Sequence, residues 1–250
     1  MKNEKYYIDQ LETSLRLSNK QCIQEEMIDI HSHLVPGVDD GSQSLEESLA
    51  LLKQAEEDGI TELITTPHFM KNGEFRIKAS ELVKRFNELK QAYPGSIKLH
   101  LGNELYIHPD LPELLEKGDI LTLAESDTIL VEFPFHDYKE EYDEILYELS
   151  LKYRIIIAHP ERYHYVQEDP NFCLRWLTEG YYLQSNQSSL FRKETKKVLF
   201  SMIEHGFVSF IASDAHNEYR PLILKEAYDL LEEEFGTSIA KQLIEENPGK

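Results

Sequence analysis

The sequence predicts an α/β fold built on a parallel, barrel-like sheet, and three observations predict it. First, seven short runs rich in β-branched residues recur: Met27 to His31, Thr61 to Thr66, Ile97 to Leu101, Thr128 to Phe133, Arg154 to His159, Tyr181 to Ser185 and Val208 to Ser213. Second, a charged amphipathic stretch follows each run, often closed by a glycine. Third, nearly every run ends on a polar or ionisable residue. Short apolar runs bounded by turn signals and separated by helical patterns read as parallel strands in βα units. Seven runs, one short of the regular eightfold form, suggest a barrel-like sheet that departs from it.

The first helix has a clear start and stop. Ser44-Leu45-Glu46-Glu47 has the form of a capping box, Leu45, Leu49, Leu52 and Ala55 recur on one face, and Gly59 stands where a C′ glycine belongs. Gly180 and Gly206 hold similar stop positions before later strands. No proline-rich linker or low-complexity tract interrupts the pattern, so one domain over 27–250 is expected. The extension over 1–26 carries scattered apolar residues (Ile8, Leu11, Leu15, Leu17), read as a poorly ordered arm or a short helix packed on the barrel.

Composition narrows the function. Hydrophobic residues make up 41% and charged residues 29%, an ordinary core-forming balance. The formal net charge of −20 repels nucleic acid, which argues against a DNA or RNA binder. A phosphorylated substrate meets the same repulsion, so a phosphate site needs a local positive charge, for which metal ions are one source. The two cysteines, Cys22 and Cys173, have no CxxC spacing, and both are expected to be reduced in a cytoplasmic protein. Residues 1–26 contain charges throughout and no apolar h-region, and no run approaches the ~20 apolar residues of a membrane span. Direct membrane insertion is not expected.

The chemistry collects at the strand ends. His31, His33, His68, Glu104, Glu132, His159, Asp214 and His216 lie at, or just past, the C-terminal ends of predicted strands. In parallel α/β barrels those ends converge on one face, where sites are built. A lone histidine there is more often a capping or core residue than a ligand. Glu132 within Leu130-Val131-Glu132-Phe133, and Asp214 within Phe210-Ile211-Ala212-Ser213-Asp214, are harder to dismiss, because a buried acid is costly unless paired or metal-bound. All these strand ends delivering imidazole or carboxylate together point to a metal site. Nitrogen and oxygen ligands without sulfur suit Mn²⁺, Fe²⁺ or Zn²⁺. His31-x-His33 puts two imidazoles on one side of an extended segment, and the ligands outnumber what one ion takes. Asp29, in phase with them, is expected to point toward the site and support a ligand.

These residues resemble the PHP superfamily (polymerase and histidinol phosphatase) in their order: His-x-His, a carboxylate a few residues on, then His68, Glu104, Glu132, His159 and Asp214-x-His216. Three longer segments resemble, within it, the bacterial capsule and exopolysaccharide tyrosine-protein phosphatases: Met27 to Gly41, Ile157 to Tyr163 and Ile211 to Asn217. The resemblance implies a distorted (β/α)7 barrel of the PHP type and a cluster of three divalent ions, with manganese favoured over iron or zinc. His31, His33, Glu104 and Asp214 would hold one ion. Glu104 would bridge to a second, completed by Glu132 and His159. Asp40, His68 and His216 would hold the third, and Arg162 and Arg220 match the family's phosphate-binding arginines.

The expected reaction is hydrolysis of phosphotyrosine, with metal-activated hydroxide attacking in line while the arginines neutralise equatorial oxygens. The implied partner is a phosphotyrosine-bearing protein, the tail of a bacterial tyrosine kinase. His136, just past the Glu132 strand, is a candidate general acid, with a solvated loop histidine as the blander reading. His100, His108, His164 and His205 read as structural or surface residues. A cysteine-phosphatase mechanism is excluded, since it needs an arginine six positions after the nucleophile, where Cys173 has Glu179 and Cys22 has Ile28. Two readings stay open beside phosphotyrosine hydrolysis: a small-molecule phosphatase such as histidinol phosphatase, and a non-catalytic, metal-stabilised phosphoprotein-binding module.

Overall fold

Two of the seven predicted runs are each followed, after a two-residue break, by a further short strand. The computed structural model describes residues 26–70 and 72–245, so Cys22 and the apolar residues of the predicted N-terminal arm lie outside it. In chain order the elements are β1 (Met27–Asp29), α1 (Leu45–Glu57), β2 (Ile60–Thr65), β3 (His68–Phe69), α2 (Ala79–Ala92), β4 (Lys98–Leu101), β5 (Glu104–Tyr106), α3 (Leu111–Lys117), β6 (Thr128–Glu132), α4 (Glu141–Ser150), β7 (Arg154–Ala158), α5 (His164–Glu168), α6 (Leu174–Leu177), β8 (Tyr182–Asn186), α7 (Lys193–Glu204), β9 (Phe210–Ala212), α8 (Leu224–Phe235) and α9 (Thr237–Ile244). Thr66-Pro67 separates β2 from β3, and proline has no N–H for a ladder. Gly102-Asn103 separates β4 from β5 and carries Glu104 onto a strand of its own, where a loop position was expected.

Every strand pairing is parallel, in the orders β1-β2-β4 and β3-β5-β6-β7-β8-β9. The last strand returns to the first. Ser32 and Ala215 form a parallel bridge, the Asp214 N–H donates to the His31 carbonyl at 2.8 Å, and the His33 N–H donates to the Ala215 carbonyl at 2.8 Å. This parallel α/β architecture is the expected fold class.

Strand alternation divides the apolar residues into two cores. Ile28, Ile30, Ile64, Leu130, Ile156, Ala158, Phe210 and Ala212 touch one another on the face turned away from the helices, and Leu123 closes that cluster. Leu123 arrives on a 3₁₀ turn, Leu123–Glu125, where Ala124 and Glu125 take left-handed φ angles of 50° and 58°. The opposite row, including Leu63, Val131, Ile155, Ile157, Leu183 and Ile211, packs in the larger core against the helices.

Local helix signals hold with two differences. The Ser44 side chain accepts the Glu47 N–H at 3.2 Å, but Glu47 reaches back to the Gln43 N–H at 2.7 Å rather than to Ser44. The buried stripe of α1 is Ser48, Leu51, Leu52 and Ala55, with Leu45 exposed in the first turn. Ser48 can be buried because its hydroxyl bonds Ser42 Oγ at 2.8 Å. Gly59 follows the helix at φ +91°. No helix among the described residues is long and apolar enough to cross a membrane.

Candidate metal centre

The strand ends bring the predicted residues together. His31 and His33, past β1, face each other with Nε2 to Nε2 at 3.2 Å. Glu104, opening β5, sends Oε2 to within 3.2 Å of His31 Nε2, 3.3 Å of His33 Nε2 and 3.0 Å of His68 Nδ1. Its other oxygen lies 2.9 Å from His159 Nε2, and Glu132, ending β6, lies 3.6 Å from the same nitrogen. Asp214, past β9, puts Oδ1 at 3.5 and 3.4 Å from His31 and His33 Nε2. Asp40 Oδ1 sits 3.5 Å from both His68 Nε2 and His216 Nε2.

Loop geometry delivers Asp40. The Ser42 N–H donates to the His33 carbonyl at 3.0 Å, folding the Asp39-Asp40-Gly41 turn tightly onto His33. A Cβ on Gly41 would lie 2.2 Å from that carbonyl oxygen and 2.5 Å from His33 Cβ, so the approach requires glycine. Two other site residues hold strained backbone. His159 has φ 33° and Asp214 φ 49°, in the left-handed region that costs non-glycine residues on the order of 1–3 kcal/mol.

Partners outside the cluster decide which nitrogens face inward. Asp39 Oδ2 only accepts, so His33 Nδ1–H donates to it, at 2.7 Å. The Asp214 carbonyl likewise takes His216 Nδ1–H at 2.9 Å. Gln184 donates its amide to Asn186 Oδ1, which turns Gln184 Oε1 toward His31 Nδ1–H at 2.8 Å. Asn186 Nδ2 then donates to Asp214 Oδ2 at 2.6 Å, closing the ring of contacts. In the neutral imidazoles of His31, His33 and His216 the inward Nε2 is therefore a lone pair.

Lone pairs and carboxylate oxygens thus converge on the same small volume, an arrangement that only protons or a cation among them relieve. Glu104 Oε2, His68 Nδ1, His159 Nδ1 and His216 Nε2 are buried without a partner of hydrogen-bonding geometry. Three groups bring their ligand atoms within 4.8 Å of one another: His33, Asp40, His68 and His216; His31, His33 and Asp214; His68, Glu104 and Glu132. An all-nitrogen and oxygen set with Nδ1–H held from outside is what a divalent cation centre requires, so the residues fit metal. The groups overlap more than the expected three sets, with His33 and His68 each serving two.

Charge is divided unevenly. Burial opposes ionisation of Glu104, but His31 and His68 hold its carboxyl well below the usual range. Asp214 is held low in the same way by His31, His33 and Arg220. Burial, reinforced by the Glu104 charge, pushes Glu132 up to about 8. Burial, with Arg162 nearby, takes His159 down to about 4. Burial also opposes charge on His31 and His33, yet Glu104 and Asp214 raise the first, and Asp39 and the neighbouring acids raise the second well above the ordinary histidine value.

Arg162 and Arg220 stand at the rim, about one-third exposed, each with one nitrogen on Asp214 Oδ2. Phe75 stacks on His68 at 5.7 Å between centroids, and Phe135 on His159 at 5.9 Å, with the Arg162 guanidinium 4.8 Å from the Phe135 ring.

Sequence reasoning passed over Gln184, Asn186, Asp39 and Glu161. Buried Glu161 accepts from the Asn186 N–H at 2.9 Å and from Ser189 Oγ at 2.7 Å, tying the Arg162 turn to β8. The one signal for Gln184 and Asn186 is a polar period of two in a strand that should be buried. Asp29 does not support a ligand side chain as expected. Its carboxylate accepts from Ser213 N–H at 2.9 Å and Oγ at 2.5 Å, anchoring the backbone before Asp214. His136 lies outside the ligand groups and contacts His164, Nδ1 to Nδ1, at 3.1 Å. His100, His108 and His205 have local partners in Glu62, Asn72 and the Ser201 carbonyl. Cys173 is free and buried, and burial pushes its thiol up to about 12.

Fold and site together define a parallel α/β protein with a candidate metal centre at the C-terminal ends of its strands. The profile of the family described as "Capsular polysaccharide synthesis, CpsB/CapC" matches residues 27–250, and the chain belongs to that family. It is 34% identical over 227 residues to the tyrosine-protein phosphatase YwqE of Bacillus subtilis, covering 88% of this chain and 89% of that one. It is 33% identical over 237 residues to the tyrosine-protein phosphatase CpsB of Streptococcus pneumoniae, covering 90% and 97%. A solved structure from work on YwqE and CpsB, described as unique metal-dependent tyrosine phosphatases, superposes with a TM-score of 0.76 at 32% identity over 86% of this chain and 90% of that one. A phosphotriesterase homology protein from Escherichia coli, 12% identical with a TM-score of 0.57 over 90% and 98%, shares the fold alone.

Proposed function

We propose that this chain is a metal-dependent phosphatase that removes phosphate from tyrosine in a protein substrate, acting in the cytoplasm on the tail of a tyrosine kinase. The observation that carries the reading is the pair of rim arginines bound to Asp214, beside inward-facing imidazole lone pairs and buried carboxylates. The relatives' names and their metal dependence support it. The catalytic unit is residues 27–250, a distorted (β/α)7 barrel, with 1–26 as an extension.

His31, His33, Glu104 and Asp214 would hold one ion, Glu104, Glu132 and His159 a second, and Asp40, His68 and His216 a third, with manganese favoured. Divalent ions bound there would supply Lewis acidity and bring the pKa of bound water toward ~7. Arg162 and Arg220 bind the equatorial phosphate oxygens, since each guanidinium keeps donors beyond the one spent on Asp214. Asp214 holds both forks at fixed separation, and Gln184 and Asp39 keep Nδ1 protonated on His31 and His33 so that Nε2 faces inward. Phe75 and Phe135 offer apolar walls to an aryl ring at the opening. A phenol with pKa near ~10 leaves with modest protonation, which suits a site whose ligand groups do not include His136.

Turnover of a phosphotyrosine peptide by manganese-loaded protein, against histidinol phosphate and phosphoserine peptide, tests this reading. Faster hydrolysis of histidinol phosphate would replace it with a small-molecule phosphatase. No turnover at all, with peptide binding unchanged in His159→Ala, would leave a binding module.

A further inference from the structure

Beside the metal centre, a cavity of about 370 Å³ opens between the turn after β6 and the start of α7. Phe135, His136, Arg162, His164, Arg192 and Glu194 are among the residues that line it, so Arg162 belongs to both the rim of the centre and this notch. The chain as a whole is acidic, with a net charge of −20. Among the described residues many surface cations are paired, as Lys53, Arg85, Lys117, Lys152, Arg175 and Lys241 each meet a carboxylate, while a few, such as Arg76 and Lys78 before α2 and Lys84 on it, are not. Arg192 is exposed and makes no ion pair among the described residues, and Glu194 shares the cavity without bonding to it. His136 and His164, both exposed, meet through Nδ1, which leaves Nε2 of each ring for another contact. Lys193, Lys196 and Lys197 continue the basic run along α7.

An unpaired arginine and two imidazoles within one cavity of a strongly acidic chain are a recognition surface for an anion. Because the cavity shares Arg162 with the centre, that anion would belong to the molecule whose phosphate the rim arginines take. We propose that the notch is a subsite for a second anionic side chain, carboxylate or phosphate, that flanks the phosphotyrosine in the substrate polypeptide. The proposal rests on the phosphotyrosine reading above. It assigns to Arg192, with His136 and His164, the choice of substrates in which acidic or further phosphorylated residues neighbour the target tyrosine.

The test uses the full manganese-loaded chain and a peptide panel with one phosphotyrosine: neutral flanks, glutamate flanks, or a second phosphotyrosine, placed on either side. An anionic flank is expected to lower KM about tenfold, with little change in kcat, the size of one charge-assisted contact. Arg192→Ala should erase that difference while leaving kcat and KM for the neutral peptide unchanged. The glutamate and phosphotyrosine arms separate carboxylate from phosphate as the preferred group. Equal KM across the panel, or an equal loss on every peptide in Arg192→Ala, overturns the subsite. Binding of the same panel carrying a non-hydrolysable phosphonate provides a second readout. If no peptide is cleaved, the phosphotyrosine reading fails, and equal or unequal phosphonate affinities still decide the notch on their own.

Discussion

Arg162 and Arg220, on different loops, end on one oxygen of Asp214: Nη1 of the first at 3.0 Å and Nη2 of the second at 2.6 Å from Oδ2, while Oδ1 faces His31 and His33. One carboxylate therefore sets the spacing of both cations and orients them against the cluster. Lysine offers a point charge without the fork. Arg162→Lys and Arg220→Lys are each expected to lower kcat/KM on a phosphotyrosine peptide by roughly 10²–10³-fold, the scale of losing an oriented transition-state donor. Since the two share an acceptor, the double variant should fall short of the product of the single losses in a double-mutant cycle.

The amide of Gln184 and the carboxylate of Asp39 hold His31 and His33 from outside. Gln184→Leu and Asp39→Ala remove that hold and leave every proposed ligand residue unchanged. Metal affinity, measured by competition with a chelator, should weaken about 10–100-fold. Manganese at one hundred times its Kd should stabilise the parent by about 2.7 kcal/mol, seen as a rise in Tm, and chelator should reverse it. Unchanged affinity in both variants would show that the inward tautomer is fixed in another way.

Asp29 supplies a pH dependence of known sign. Burial raises its pKa from 3.8 to about 6, against the pull of its bonds from Ser213. Between those values the folded chain keeps a proton that the unfolded chain releases. The stabilisation is complete below pH 3.8 and lost as pH rises through about 6, a difference on the order of 3 kcal/mol. Asn at this position cannot titrate. Asp29→Asn should therefore flatten the fall in unfolding free energy between pH 4 and 7 relative to the parent, as read by urea titration at each pH.

Gly41→Ala forces a Cβ onto the His33 carbonyl oxygen, a backbone atom that cannot step aside. The turn carrying Asp40 should open, so that activity and metal stoichiometry drop while the far-UV circular dichroism stays native. Full activity would mean that the turn relaxes without moving Asp40.

Most of the candidate ligands were legible because they lie at or just past the end of an apolar run, where an ionisable group has no cheap explanation, whereas Asp40, on a turn, was legible only through the family resemblance. Glu132 and Asp214 carried most of that signal. The supports were not legible. Gln184 and Asn186 are neutral amides whose role depends on the strand beside them, and Asp39 stands next to the more exposed Asp40 with nothing local to tell them apart. Breaks at Pro67 and Gly102 were visible as residues, but their outcome, two further strands that carry His68 and Glu104, depends on pairing with neighbours. Leu123 could not be recognised as a core residue, because it reaches its apolar neighbours only through a left-handed turn.

That leucine has a consequence for traffic through the molecule. Ile28, Ile30, Ile64, Leu130, Ile156 and Phe210 fill the space between the strands on the face away from the helices, and Leu123 packs into the same buried cluster. Apolar packing of this density offers no exit to a hydrated anion. On the proposed function, phosphate released beside Arg162 and Arg220 would leave by the way the next substrate enters and compete with it directly.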